Sequence, residues 1–170
     1  MYKLAAVISM FIDHFAIIFF DNGIYLAGRI IGRFAYPYFC YAVKRGYYKT
    51  ASLDNYKAKI LFLGLISLPI TIYYFDKVEL NILFIYFLVL NIWDYLDNQD
   101  YIKLAFAAGL LILSLDYISG GLGAIIFSLG VKHINIKDLD NEGKKLPGKF
   151  FYWFYPGHLL LILILKNIFL

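Results

Sequence analysis

Seven apolar segments occupy this chain of 170 residues and leave room for little else. They run over residues 4–20, 30–48, 60–75, 80–93, 101–115, 122–131 with its flanks, and 150–169. Hydrophobic residues make up 62% of the chain and charged residues 16%, with a mean hydropathy of +0.69. A soluble domain is about 45–50% apolar and about 25% charged, and a chain this short has too little interior to hide the excess. The bilayer is the solvent that such a sequence fits. A helix needs roughly 20 residues to cross the hydrocarbon core. Several of the segments are shorter, and Tyr and Trp at their ends extend them through the interface. The expectation is an all-α fold: a polytopic membrane helix bundle of about seven transmembrane helices, one integral domain over residues 1–170.

Charge placement sets the expected topology. The net charge is +4, but the cations fall between apolar runs, which reads as membrane orientation and not as a nucleic-acid surface. Lys44, Arg45, Lys49, Lys57 and Lys59 cluster after the second segment, and Lys132, Lys137, Lys144, Lys145 and Lys149 before the last. The positive-inside rule places both groups in the cytoplasm, together with Lys3 and Lys103. Arg29, Arg33, Lys77 and Lys166 remain for the other side or the helices, giving 12 cations inside against 4. Six spans would put the two richest loops on opposite faces, so seven are expected, with a cytoplasmic N-terminus and an external C-terminus. Lys3 ahead of an apolar run has the look of a signal peptide, but Asp13 and His14 interrupt the run and no small-residue cleavage site follows. An uncleaved first span is expected. Cys40 is the lone cysteine and has no internal disulfide partner. Abundant Ile, Lys, Asn and Tyr point to an AT-rich bacterial genome, hence to a bacterial cell membrane.

The residues that a bilayer rejects carry the functional information. A charge at the bilayer centre costs at least about 2.5–3.5 kcal/mol and faces the bundle interior. Asp13 and His14 lie in the middle of the first segment, rotated by about 100° from one another, so they cannot point the same way. Asp13 therefore needs a cation on a neighbouring helix. Arg29 and Arg33 share one helix face; Arg33 is the deeper and is the expected partner, while Arg29 is placed to snorkel to the interface. The bland alternative is an Asp–Arg pair that only staples two helices. Asp116 and Tyr117 precede a Gly-rich turn without the spacing of a phosphate loop. His158 follows Pro156, whose missing N–H perturbs the last helix and opens a polar position at membrane depth. The two histidines lie on separate helices with no metal-ligand pattern, so no metal is expected, and no serine sits in a nucleophile elbow.

Several of these residues belong to a longer pattern. Met10 to His14 reads M-x-x-D-H; Arg29 to Phe39 reads R-I-I-G-R-F-A-Y-P-Y-F; Gly46 and Thr50 form G-x-x-x-T; Asn81 to Phe84 reads N-I-L-F; Asp116–Tyr117 opens a D-Y element; and Phe151 to Leu160 reads F-Y-W-F-Y-P-G-H-L-L. In this order they resemble the TraX family of membrane acetyltransferases, named for the enzyme that N-acetylates conjugative pilin. Ile118 departs from the family's usual Gly after Asp-Tyr. The resemblance implies an acyltransferase that takes an acetyl group from acetyl-CoA to an amine or hydroxyl on an exported peptide or glycan. It implies Arg29, Arg33, Tyr36, Asn81, Asp116, Tyr117 and Tyr155 as substrate-binding positions.

The residues support a matching mechanism. The expected catalytic set is His14, Asp13 and His158: His14 is the general base, Asp13 pairs with Arg33 to hold the first two helices in place, and His158 is a second acid/base or a polariser of the thioester. Lys44, Arg45, Lys144 and Lys145 are the cations offered to the donor's phosphates. The competing class is a small non-enzymatic membrane protein, either a proton-coupled transporter or an assembly or immunity factor. Paired repeats, the usual mark of a transporter, are absent from the sequence.

Overall fold

A computed structural model describes residues 2–20, 22–32, 35–75, 81–113, 118–133 and 148–169. Eight helices account for them: α1 (Tyr2–Phe19), α2 (Asn22–Gly32), α3 (Ala35–Lys49), α4 (Leu53–Phe75), α5 (Ile82–Asp97), α6 (Tyr101–Leu113), α7 (Ile118–His133) and α8 (Gly148–Phe169). The fold is all-α, as the apolar pattern requires. The second apolar segment is carried by α2 and α3, and α2 begins earlier than that segment, at Asn22. The stretch of α4 from Leu53 to Tyr73 is the one helix among the described residues that is long and apolar enough to cross a membrane by itself; α1, α6 and α8 contain shorter apolar runs. The helices pack as two compact units, one over Met1–Ala42 and Leu139–Leu170, the other over Val43–Asp138.

In the first unit α1 and α2 pack against each other through small residues. Gly28 lies against Ala16, and Gly32 lies against the Asp13 side chain; a Cβ at either glycine would collide. This is the G-x-x-x-G device of membrane helix pairs, which lets two backbones approach closely. Ser9 completes the seam by donating its Oγ to the Ile31 carbonyl at 2.5 Å. The partners run in opposite order along the two helices, as an antiparallel pair demands. On α8, Tyr155, Leu159 and Ile162 are buried at helical spacing, while Leu160, Leu161, Ile164 and Ile168 are exposed. These large apolar side chains are turned away from the buried face of α8.

In the second unit α5 is buried nearly all round, from Ile85 to Trp93. Asn81 sets its start. Its Oδ1 accepts from the N–H groups of Leu83 and Phe84 at 3.1 and 3.3 Å, and its Nδ2 donates to the Gly64 carbonyl of α4 at 2.8 Å. These bonds satisfy orphan donors at the helix start. Pro69 interrupts the hydrogen-bond ladder of α4, and close to it Ser67 and Thr71 return their hydroxyls to the Leu63 and Ser67 carbonyls. The turn into α6 takes Gln99 through a left-handed conformation. Asp100 then accepts from the Lys103 backbone and pairs with its ammonium at 2.7 Å, which holds the Asp100 carboxyl below its usual range.

One end of this unit is fastened by lysines. Lys44 is 2% exposed and donates to the Val131 carbonyl near the end of α7, at 2.7 Å. Lys132 donates to the Trp93 carbonyl near the end of α5, at 3.0 Å, and to Asp97 at 2.5 Å. Asp97 also accepts from the Tyr47 hydroxyl at 2.6 Å, and Lys57 pairs with Asp94. Cations at helix C-termini complement the dipole and the unpaired carbonyls there.

Two stability outcomes follow from this packing. Gly32→Val should lower the stability of detergent-solubilised protein by about 1–3 kcal/mol, the usual cost of overpacking. Gly109→Ala, whose new Cβ meets open space, should change it by less than about 0.5 kcal/mol. Lys132→Met should cost about 1–3 kcal/mol through the lost bonds to Asp97 and the Trp93 carbonyl, whereas Lys103→Met, on a side chain 63% exposed, should cost little. Thermal or denaturant melts in one detergent compare all four.

Candidate active site

Asp13 and His14 are neighbours on α1 and serve different helices. Asp13 turns to α2, where its carboxylate accepts from Arg29 Nη1 at 2.8 Å and fills the space that Gly32 leaves open. His14 turns to α8, where its ring meets His158 edge-on with centroids 5.0 Å apart. The divergence expected from their 100° offset is therefore observed. Asp13 thus pairs with Arg29, which the sequence reading placed at the interface. Gly32 sits opposite Asp13 in the antiparallel seam, so Arg29, one turn back on α2, reaches the carboxylate. Arg33 lies outside the described residues. The pair is partly screened, with side chains 14% and 29% exposed for Asp13 and Arg29.

The histidine pair has a defined proton arrangement. His14 Nδ1 lies 2.8 Å from the Met10 carbonyl, and His158 Nδ1 lies 2.8 Å from the Phe154 carbonyl. A carbonyl only accepts, so in each neutral ring Nδ1 carries the proton and Nε2 the lone pair. His158 Nε2 stands 3.3 Å from His14 Nδ1. The Nδ1–H of His14 is thus shared between a carbonyl and a second imidazole, and its basic lone pair is on the opposite edge of the ring. His158 is 4% exposed. Phe154 stacks flat on it, with centroids 4.7 Å apart and planes 8° from parallel, and buried Tyr155 meets it edge-on at 5.5 Å.

The other expected site residues distribute as follows. Tyr36 is half-buried on α3. Asn81 belongs to the second unit, where it caps α5. Lys44 is buried there with its ammonium on Val131, and Arg45 is half-buried on α3. Asp116, Tyr117, Lys144 and Lys145 lie outside the described residues. Sequence reasoning missed Met10 and Phe154, whose backbone carbonyls fix the tautomers; each stands four residues before its histidine, a spacing that was available. It also missed Gly28 and Gly32, four apart on the face that meets α1.

This arrangement occurs in a chain whose residues 1–134 match the family described as TraX protein. The chain belongs to the TraX family. Asp13, His14 and Arg29 lie inside the matched span and His158 beyond it. A 69-residue stretch is 32% identical to the probable fimbrial assembly protein FimC, serogroup H1, of Dichelobacter nodosus, covering 39% of this chain and 28% of that protein. The chain therefore spans well under half the length of this relative. No solved structure matches. Helix composition and family together define an all-α, membrane-associated protein.

The Asp13–Arg29 contact can be weighed by a double-mutant cycle. Asp13→Asn and Arg29→Gln should each destabilise the protein, and the double variant should lose less than their sum, with a coupling on the order of 1 kcal/mol. Additive losses in a thermal melt would mean that the pair contributes nothing beyond its separate residues.

Proposed function

We propose that this protein is a membrane-embedded acyltransferase that moves an acetyl group from acetyl-CoA to an amine or hydroxyl of an exported peptide or envelope glycan. The observation that carries the reading is the His14–His158 pair, with the Nδ1 proton of His14 held by the Met10 carbonyl and by His158 Nε2. That arrangement leaves the lone pair of neutral His14 on Nε2, the atom that a general base uses. His14 Nε2 takes the proton from the acceptor N–H or O–H. The acceptor's electron pair attacks the thioester carbonyl, the C–S bond breaks, and the thiolate leaves with the proton that His14 received. The imidazolium formed on the way is stabilised at Nδ1–H by its two acceptors. Asp13 and Arg29 hold α2 on α1 and so keep His14 in register with α8.

The chain crosses the bilayer several times, with its N-terminus in the cytoplasm and its C-terminus outside. The acyl donor is cytoplasmic and an exported acceptor is met from the far side, so a base near mid-span suits both. Arg45 on α3 and Lys144 and Lys145 before α8 are the cations offered to the donor's phosphates. The fimbrial assembly role named for the Dichelobacter relative agrees with an exported peptide as acceptor.

The test uses membranes that contain the protein or its His14→Ala form, acetyl-labelled CoA, and separation of peptide, lipid and glycan fractions. Label should enter one fraction with the wild type. With His14→Ala it should fall by about 10²–10⁴, with the protein still inserted. Full labelling by His14→Ala would remove His14 from the role. No label with the wild type would favour a non-enzymatic membrane factor.

A further inference from the structure

The imidazole of His158 needs more than a location to serve His14. Its Nε2 must face the Nδ1–H of His14, and a histidine ring turns easily about its last bond because torsions onto flat rings have broad minima. A half-turn would put a carbon where Nε2 stands. One contact prevents this, a second holds the plane of the ring, and one residue supplies both. The Phe154 carbonyl takes the Nδ1–H of His158 at 2.8 Å, which selects the tautomer. The Phe154 ring lies flat on the imidazole at 4.7 Å and 8°, which selects the plane. Phe150 stacks in turn on Phe154 at 5.7 Å. The three rings form a column along one face of α8, at positions 150, 154 and 158, one helical turn apart.

We propose that Phe154 is a positioning residue, whose ring holds His158 so that its Nε2 lone pair meets the Nδ1–H of His14. The inference rests on the general-base reading of His14 given above. The aromatic face has a second effect. When His14 becomes protonated during transfer, positive charge spreads toward His158, and the π-face of Phe154 is attracted to it. The carbonyl belongs to the backbone and survives any substitution, so side-chain variants isolate the contribution of the ring.

The experiment uses the whole protein in lipid bilayers with isotope-labelled histidine. A His133→Gln background leaves His14 and His158 to assign, because the chain has three histidines. Nitrogen shifts report which ring atom carries the proton, and magnetisation transfer reports the contact between the rings. Wild-type protein should show His158 protonated at Nδ1 and a clear contact to His14. Phe154→Leu should keep the Nδ1 tautomer, which the backbone carbonyl selects, but release the ring from its plane and weaken that contact several-fold, and Phe154→Tyr, which keeps the face, should restore it. Phe154→Met serves as a second apolar variant if Leu lowers the yield of folded protein. Spectra of Phe154→Leu and Phe154→Met that match the wild type would overturn the proposal.

Activity is the second arm. Phe154→Leu should lower kcat roughly tenfold, a fraction of what a general base contributes, at unchanged KM, with Phe154→Tyr near wild type. A loss confined to KM would overturn the positioning role. Absence of acyl transfer by the wild type would instead reject the enzyme reading and leave the spectra to decide the ring contact.

Discussion

A carboxylate inside an apolar helix bundle has to find a cation, and the packing of the first unit follows from how Asp13 finds one. Arg29 reaches it from the neighbouring helix, and the close approach of α2 at Gly28 and Gly32 makes that reach possible. An unpaired buried charge would cost several kcal/mol, whereas a paired and hydrogen-bonded one is tolerated. Once Asp13 is committed to α2, the next residue on α1 points elsewhere by helical geometry. His14 therefore faces α8, and the pair with His158 forms. The ion pair and the histidine pair are two outcomes of one helical offset.

The sequence was most legible where physics is local. Apolar runs located the helices, because a membrane leaves few alternatives to a helix. The angle between Asp13 and His14 was legible for the same reason, since it depends only on helix geometry. The contact of Asp13 with Arg29 was not. It needs the register of two antiparallel helices, and that register is set by the bare backbone at Gly28 and Gly32, not by the charges. The capping role of Asn81 was not legible for a similar reason. Its motif marked it as important, but its three hydrogen bonds all go to helix starts and a neighbouring carbonyl. A capping asparagine and a substrate-binding asparagine look alike in a string of letters.

Lysines that read as topology signals have a second use here. Lys44 and Lys132 are buried with their ammonium groups on carbonyls near the ends of α7 and α5, and Lys57 pairs with Asp94. Their long apolar stems cross packed side chains while their heads meet polar groups. These lysines satisfy helix ends in the folded protein. Counting cations by loop gives no sign that these particular ones are internal.

The vacancy at Gly32 has an evolutionary consequence. Any side chain there would occupy the volume of the Asp13 carboxylate, and removing that carboxylate would leave Arg29 without its counter-ion. Positions 13, 29 and 32 therefore cannot drift independently. A lineage that changes one must change the others in concert, so among descendants of this sequence the three should be inherited as a block, even though they are scattered over two helices.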